Sequence, residues 1–256
     1  GEVATPFGIA VVHSCFNVAA TLVLLPFSNG LVKLACLTLP THEDVKEMSE
    51  TDKTLSLLDP RFLDTPAYAV EQSRQVASVM ADKSRKAMDL AMELLQGYDE
   101  AKAEQVAQME TDVDRFEDEL GTYLVKLSSR QLSGKDSETL NTILHCIGDF
   151  ERISDHARNV KEAAQEMYDK KLDFSDKAQE ELKVFERAVH DILDITMNSF
   201  IKGDLNLARQ VEPMEEVIDG LSLDVKQRHV RRLRKGKCTI ELGFILSDVI
   251  TNFERV

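Results

Sequence analysis

The sequence is poor in the residues that interrupt or cross-link a chain. It contains 6 Pro, 11 Gly, 4 Cys and no Trp among 256 residues. So little Gly and Pro excludes collagen-like and low-complexity chains, and four isolated cysteines exclude a disulfide scaffold. Disorder is excluded because 43% of the residues are hydrophobic. A folded chain remains, and its abundant Ala, Leu, Glu, Lys and Gln favour helices.

Charge is almost missing from the first 40 residues. Only Glu2 and Lys33 are charged there, and they cancel, so the net charge of -14 belongs to residues 41–256. This acidic balance disfavours a basic nucleic-acid-binding surface, and no nucleic-acid partner is expected. An uncharged, apolar end joined to an acidic remainder predicts more than one kind of domain.

The uncharged end contains a run without any charged residue, from Phe7 to Phe27. As a helix, such a run is long enough to cross about 30 Å of hydrocarbon, which predicts a membrane span. A secretory signal peptide or a buried core helix are the alternatives. No Met precedes Met48, so we expect further sequence upstream.

Two polar side chains within this run, His13 and Asn17, are candidates for a transport path. They are spaced by four residues and therefore share one helix face. Polar groups inside a span tend to face other helices or a polar pathway, and hydrogen bonding between helices is the more ordinary interpretation.

The acidic remainder is dominated by long helical patterns that follow a linker at 41–66, which contains Pro60 and Pro66. Short breaks with Gly, Ser or Asp separate the patterns. Short connections between long helices indicate antiparallel neighbours in bundles. The predicted helices are 67–96, 98–132, 137–171, 175–202, 205–235 and 239–256.

The six predicted helices form two copies of a three-helix pattern. Met109–Phe116 matches Met214–Leu221 at an offset of 105 residues, and Ile147–Ile153 matches Ile250–Val256 at an offset of 103 residues. The matches predict a tandem repeat of a three-helix unit, with units at 67–172 and 173–256.

Carboxylates recur at matched positions of the two units. A spacing of four residues places each pair on one helix face, where like charges repel unless a cation lies between them. Oxygen ligands favour Mg, Mn or Fe. For a single pair, a solvated acidic face is the more common explanation, and the recurrence is what favours a metal site. The candidate ligands are Glu110, Asp114, Glu151, Asp155, Glu215, Asp219 and Glu254, with Glu117 extending the first face and Ser222 replacing it in the second.

The segment Phe150–Val160 resembles the signature of PhoU domains, and Phe253–Val256 resembles its second copy. The resemblance implies a pair of three-helix bundles with surface metal clusters on repeated acidic motifs, tied to the control of phosphate uptake. The segment His13–Phe27 resembles the last membrane segment of bacterial sodium/phosphate cotransporters, in which a PhoU-like domain follows the transporter part.

Together the two resemblances imply an all-α chain, with the final transmembrane helix of a transporter at 1–40 followed by a tandem of two PhoU-like bundles. They imply sodium-dependent transport of inorganic phosphate at the cell membrane, with residues from about 41 onward in the cytoplasm. The alternative is a PhoU-like regulator or adaptor that binds a signalling or transporter partner and does not itself transport. A homo-oligomer is possible in either case, and no enzyme is expected.

One stretch reverses the acidic trend, the basic run Lys226–Lys237. Cations suit the C-terminal end of a helix because they oppose its dipole, and this is the ordinary interpretation. Attraction to anionic lipid headgroups or to the acidic face of a partner is the alternative.

Overall fold

The computed structural model describes residues 12–19, 21 and 48–256. Residues 12–19 and 21 are helical and exposed, and His13 and Asn17 lie among them. Residues 7–11, 20 and 22–27 of the predicted apolar span lie outside the described residues. So do residues 41–47 of the predicted linker. The chain divides into two units, 1–48 and 49–256, and the helical repeats form the second.

The second unit is helical throughout, which confirms the all-α class for this part of the chain. A 3-10 turn at Pro60–Asp64 follows the first short helix. The helices are α1 (Glu50–Leu55), α2 (Pro66–Gln96), α3 (Glu100–Ser128), α4 (Gly134–Lys170), α5 (Asp176–Lys202), α6 (Leu205–Ala208), α7 (Val211–Arg234) and α8 (Ile240–Arg255).

Local sequence explains where these helices begin and end. The side chain of Asp99 accepts a 2.9 Å hydrogen bond from the backbone N–H of Lys102 and so caps α3. The side chain of Ser133 caps α4 in the same way, with a 3.1 Å hydrogen bond from the N–H of Asp136. Gly203, at φ +64°, closes α5 in the left-handed conformation that glycine adopts at little cost. Pro213 lies in the first turn of α7, where its missing N–H is tolerated. The predicted helix 205–235 is therefore divided into α6 and α7.

The first bundle consists of α2, α3 and α4. Small residues on α2, such as Ala77 and Ala81, are fully buried and allow the neighbouring helices to approach closely. Phe116 on α3 is also fully buried, and Ile147 and Phe150 complete the core from α4. The carboxylates at Asp114 and Glu151 flank these apolar faces, so packing of the core brings the acidic margins of α3 and α4 together.

The second bundle consists of α5, α7 and α8. The rings of Phe185 and Phe253 meet edge to face at 5.4 Å and join α5 to α8. The two bundles also contact each other, because Phe150 of α4 packs at 4.9 Å against Phe200 of α5. Lys170 of α4 pairs with Glu241 of α8 at 2.6 Å.

Much of the segment predicted as a linker packs against the first bundle. Leu55, Leu58 and Leu63 are buried in the same core as α2 and α3. The hydroxyl of Tyr123 donates a 3.1 Å hydrogen bond to the backbone carbonyl of Asp59. Residues 49–65 therefore extend the first bundle at its surface.

Candidate functional site

Four carboxylates lie together between α3 and α4, and we call them the first-repeat cluster. They are Asp114 and Glu117 of α3, and Glu151 and Asp155 of α4. Partial burial, the negative charges of the other three, and a hydrogen bond shared with Asp155 raise the pKa of Glu151. Burial and the charge of Asp155 likewise raise the pKa of Asp114, with Arg158 opposing them. The acidic groups predicted from the two helices thus face one another.

Arg158 supplies positive charge at one edge of this cluster. Its guanidinium pairs with Glu110 and lies 3.4 Å from Asp155. Glu110 is only 7% exposed, whereas the sequence predicted it at the surface. The arginine therefore bridges Glu110 of α3 and Asp155, and so links α3 to α4.

The first-repeat cluster has the donor chemistry for a hard cation. Its ligating atoms are all carboxylate oxygens, and their mutual repulsion is relieved when a cation binds. Within the described ranges, no three His, Cys, Asp or Glu side chains are already arranged to hold an ion. Binding would therefore require side chains of the cluster to rotate toward a common centre.

The matching face of the second repeat is built differently. Glu254, which corresponds to Glu151, accepts hydrogen bonds of 2.6 Å from Lys226 Nζ and 2.9 Å from Ser222 Oγ. These two donors lower the pKa of Glu254. Glu215 and Asp219 on α7 are exposed. Here a lysine of the chain itself neutralises the carboxylate that the motif predicted as a metal ligand.

Aligning the two repeats at the offset of 105 residues shows the substitutions that cause this difference. Ser222 stands where the first repeat has Glu117, and Lys226 stands where it has Gly121. One carboxylate is therefore lost and one cation gained. Sequence reasoning noticed the first change and missed Lys226, which the same offset would have revealed.

His156, a predicted neighbour of the metal motif, has another contact. Its Nδ1 lies 2.9 Å from Oδ1 of Asn252, so it joins α4 to α8. The side chain of Asn159 donates a 3.2 Å hydrogen bond to the same oxygen. These residues position the second bundle against the first.

Comparison with known proteins decides the family. The model of the PhoU domain matches residues 77–164 and 183–256, more than half of the chain. The chain belongs to the PhoU domain family. The match falls on both helical bundles and includes each of the predicted acidic motifs. It includes none of the apolar end.

Two PhoU proteins illustrate the similarity. The chain is 23% identical over 194 residues to the phosphate-specific transport system accessory protein PhoU homolog 1 of Thermotoga maritima, covering 73% of this chain and 83% of that protein. The crystal structure of PhoU from Pseudomonas aeruginosa matches with a TM-score of 0.67 at 20% identity, covering 72% of this chain and 88% of the other. The second match supports the predicted pair of helical bundles.

The prediction that the chain is located at the cell membrane was wrong. No helix in residues 12–19, 21 and 48–256 is long and apolar enough to cross a membrane. The family match and the accessory-protein relative point to a PhoU protein. The predictions of a sodium/phosphate cotransporter segment, of symport and of sodium binding find no support in the matches. The assignment of His13 and Asn17 to a transport path stays a prediction.

The pKa of Glu151 is raised and that of Glu254 is lowered, so removing the two charges should have opposite effects on the stability of the protein. A raised pKa means that the folded protein binds the proton more tightly than the unfolded chain does. Ionised Glu151 therefore weakens folding above its folded pKa, and this penalty disappears below the unfolded value of about 4.3. Without metal, Glu151→Gln should stabilise the protein by about 0.2–0.5 kcal/mol at neutral pH, as relief of like-charge repulsion.

Glu254→Gln is the matched control in the second repeat. The lowered pKa of Glu254 contributes stability above its unfolded value, and this contribution is lost as the pH falls through the folded pKa. Glu254→Gln should therefore destabilise the protein at neutral pH. Urea denaturation in the presence of a chelator, from pH 7 to pH values below the carboxyl range, measures both effects. If both substitutions change the free energy of unfolding in the same direction, the two carboxylates do not differ in the way that their pKa shifts indicate.

Proposed function

We propose that the chain is an accessory regulator of a phosphate-transport system, which acts by binding a partner and does not itself carry phosphate. The observation that carries this proposal is the PhoU domain match across both bundles. The Thermotoga maritima relative, named as an accessory protein of phosphate-specific transport, supports it. The absence of catalytic activity and the homo-oligomeric state stay predictions.

We further propose that a hard cation, Mg, Mn or Fe, binds the first-repeat cluster. The raised pKa values of Asp114 and Glu151 support this, because partial burial and the neighbouring carboxylates both disfavour their charged forms. A bound cation would neutralise them and fix α3 against α4. Asp114, Glu151 and Asp155 would supply the oxygens, while Glu110 would stay paired with Arg158.

The second repeat is the weaker candidate for an ion. Lys226 already supplies a positive charge to Glu254 at 2.6 Å. Any ion there would have to displace this lysine before Glu215, Asp219 and Glu254 could share it. We therefore propose that the first repeat, and not the second, binds the cation.

Phosphate uptake in cells of the encoding organism tests the regulatory role. Deleting the gene should change the rate of radiolabelled phosphate uptake when phosphate is abundant, and the intact gene should restore it. The restoring activity should fall when Asp114, Glu151 and Asp155 are replaced together by Asn, Gln and Asn. If uptake and its response to phosphate are the same with and without the gene, the proposed function is wrong.

A further inference from the structure

A groove on the second bundle has a composition that its counterpart in the first bundle lacks. It lies between α7 and α8, with the core residues Leu246 and Ile250 among its lining, and has a volume of about 310 Å³. We call it the α7–α8 groove. Its walls include Val230 and Leu233 from α7, and Ile240, Gly243 and Phe244 from α8.

Large apolar side chains at this groove face solvent. Ile240 is 74% exposed, Phe244 is 68% exposed and Val230 is 46% exposed. At the offset of 103 residues, the first repeat has Ser137 and Asn141 in place of Ile240 and Phe244. The same positions on the same fold are therefore polar in one repeat and apolar in the other. Adjacent exposed apolar side chains typically mark an interaction site.

The floor of the groove also differs between the repeats. Gly243 replaces Leu140, and His229 replaces Leu124, which are both buried core residues of the first bundle. A Cβ atom on Gly243 would lie 2.8 Å from Nε2 of His229, so the imidazole occupies the space that a side chain at position 243 would need. His229 is 8% exposed, and its Nε2 has no hydrogen-bond partner among the described residues.

Positive charge is concentrated at the end of α7, a few residues before Ile240 in the sequence. Arg231, Arg234, Lys235 and Lys237 are exposed there. Over residues 48–256 none of these four forms an ion pair, whereas Arg228 and Arg232 pair with Glu181. In a chain of net charge -14 this is a local reversal of sign. It complements an acidic occupant.

We propose that the α7–α8 groove binds an acidic amphipathic helix of a partner protein. The apolar stripe of that helix would contact Phe244, Ile240 and Val230, and its flanking carboxylates would pair with the basic residues at the end of α7. This is the helix-in-groove mode, in which anchors one helical turn apart enter an apolar channel. The proposal rests on the accessory function, because it specifies the chemistry of the partner that such a protein binds.

Titration of the full chain with two labelled peptides tests this proposal. Both are designed 18-residue amphipathic helices with the same leucine stripe, and they differ only in having Glu or Lys on the flanks. Fluorescence anisotropy should show that the Glu peptide binds and that the Lys peptide binds at least about tenfold more weakly. Ile240→Ser combined with Phe244→Asn, which installs the first-repeat residues, should weaken binding of the Glu peptide by about tenfold or more.

Val125→Ser in the first repeat is the control, since Val125 corresponds to Val230 and is also exposed. It should leave peptide binding unchanged. Both surface variants should keep the helical content of the unmodified chain. The proposal fails if neither peptide binds, if the two bind equally, or if the double variant binds as well as the unmodified chain. A Phe244-dependent dimer in sedimentation, or binding to anionic vesicles in place of the peptide, would also overturn it. Neither metal nor phosphate enters the titration, so its outcome is independent of the uptake test.

Discussion

Adding Mn²⁺ at about a hundredfold excess over its Kd is expected to raise the free energy of unfolding by about 2.7 kcal/mol. On the proposed function, the ion binds the folded first-repeat cluster and has no preformed site in the unfolded chain. The increase should disappear when Asp114, Glu151 and Asp155 are replaced by Asn, Gln and Asn. Urea denaturation with and without Mn²⁺ measures the effect.

A matched control separates this effect from general binding of cations to an acidic protein. Replacing Glu162, Glu166 and Asp248 by amides removes the same number of charges at a polar groove elsewhere between α4 and α8. This variant should keep the full Mn²⁺ effect. Equal losses in the two triple variants would assign the stabilisation to net charge and contradict a site in the first repeat.

Replacing Arg158 with methionine is expected to destabilise the protein by about 1–3 kcal/mol. The substitution leaves the carboxylate of Glu110, which is 7% exposed, without its guanidinium partner. Removing one member of a buried ion pair typically costs about 3–5 kcal/mol. The smaller value is expected here because Arg158 is itself 42% exposed, so solvent screens part of the interaction.

A double-mutant cycle tests the origin of that loss. Glu110→Gln in the Arg158→Met background should recover part of the stability, because it removes the unpaired charge. Urea denaturation of the four proteins gives the coupling free energy directly. If the two substitutions are strictly additive, Arg158 stabilises the protein by packing alone, and its pairing with Glu110 contributes nothing.

Much of the fold could be predicted from the sequence, because helix periodicity and capping are local properties. The long helices begin and end within a few residues of their predicted bounds, and the offsets of 105 and 103 residues revealed the duplication. The division into α6 and α7 was predicted only in part: Pro213 indicated a start or kink of this helix, but the apolar spacing of Leu207, Val211 and Met214 continues across the break. The packing of Leu58 and Leu63 was also missed, since a short segment gives no periodic signal.

The candidate site was predicted less completely. The spacing of Glu151 and Asp155 placed them on one face, and the repeat pattern selected them from many acidic residues. The pairing of Arg158 with Glu110, and of Lys226 with Glu254, depends on how two helices pack, which spacing along one helix does not specify. The membrane prediction was wrong because it relied on local hydropathy and on the resemblance of His13–Phe27 to a transporter segment, and the PhoU match covers none of that segment.

Calorimetric titration of the metal-free chain with Mn²⁺ tests the central claim most directly. The unmodified protein should bind the ion, and the combined substitution of Asp114, Glu151 and Asp155 should abolish binding. Glu254→Gln should leave binding intact, because Lys226 already neutralises that carboxylate. The account is contradicted if the first-repeat variant binds Mn²⁺ as tightly as the unmodified protein, or if Glu254→Gln alone removes binding.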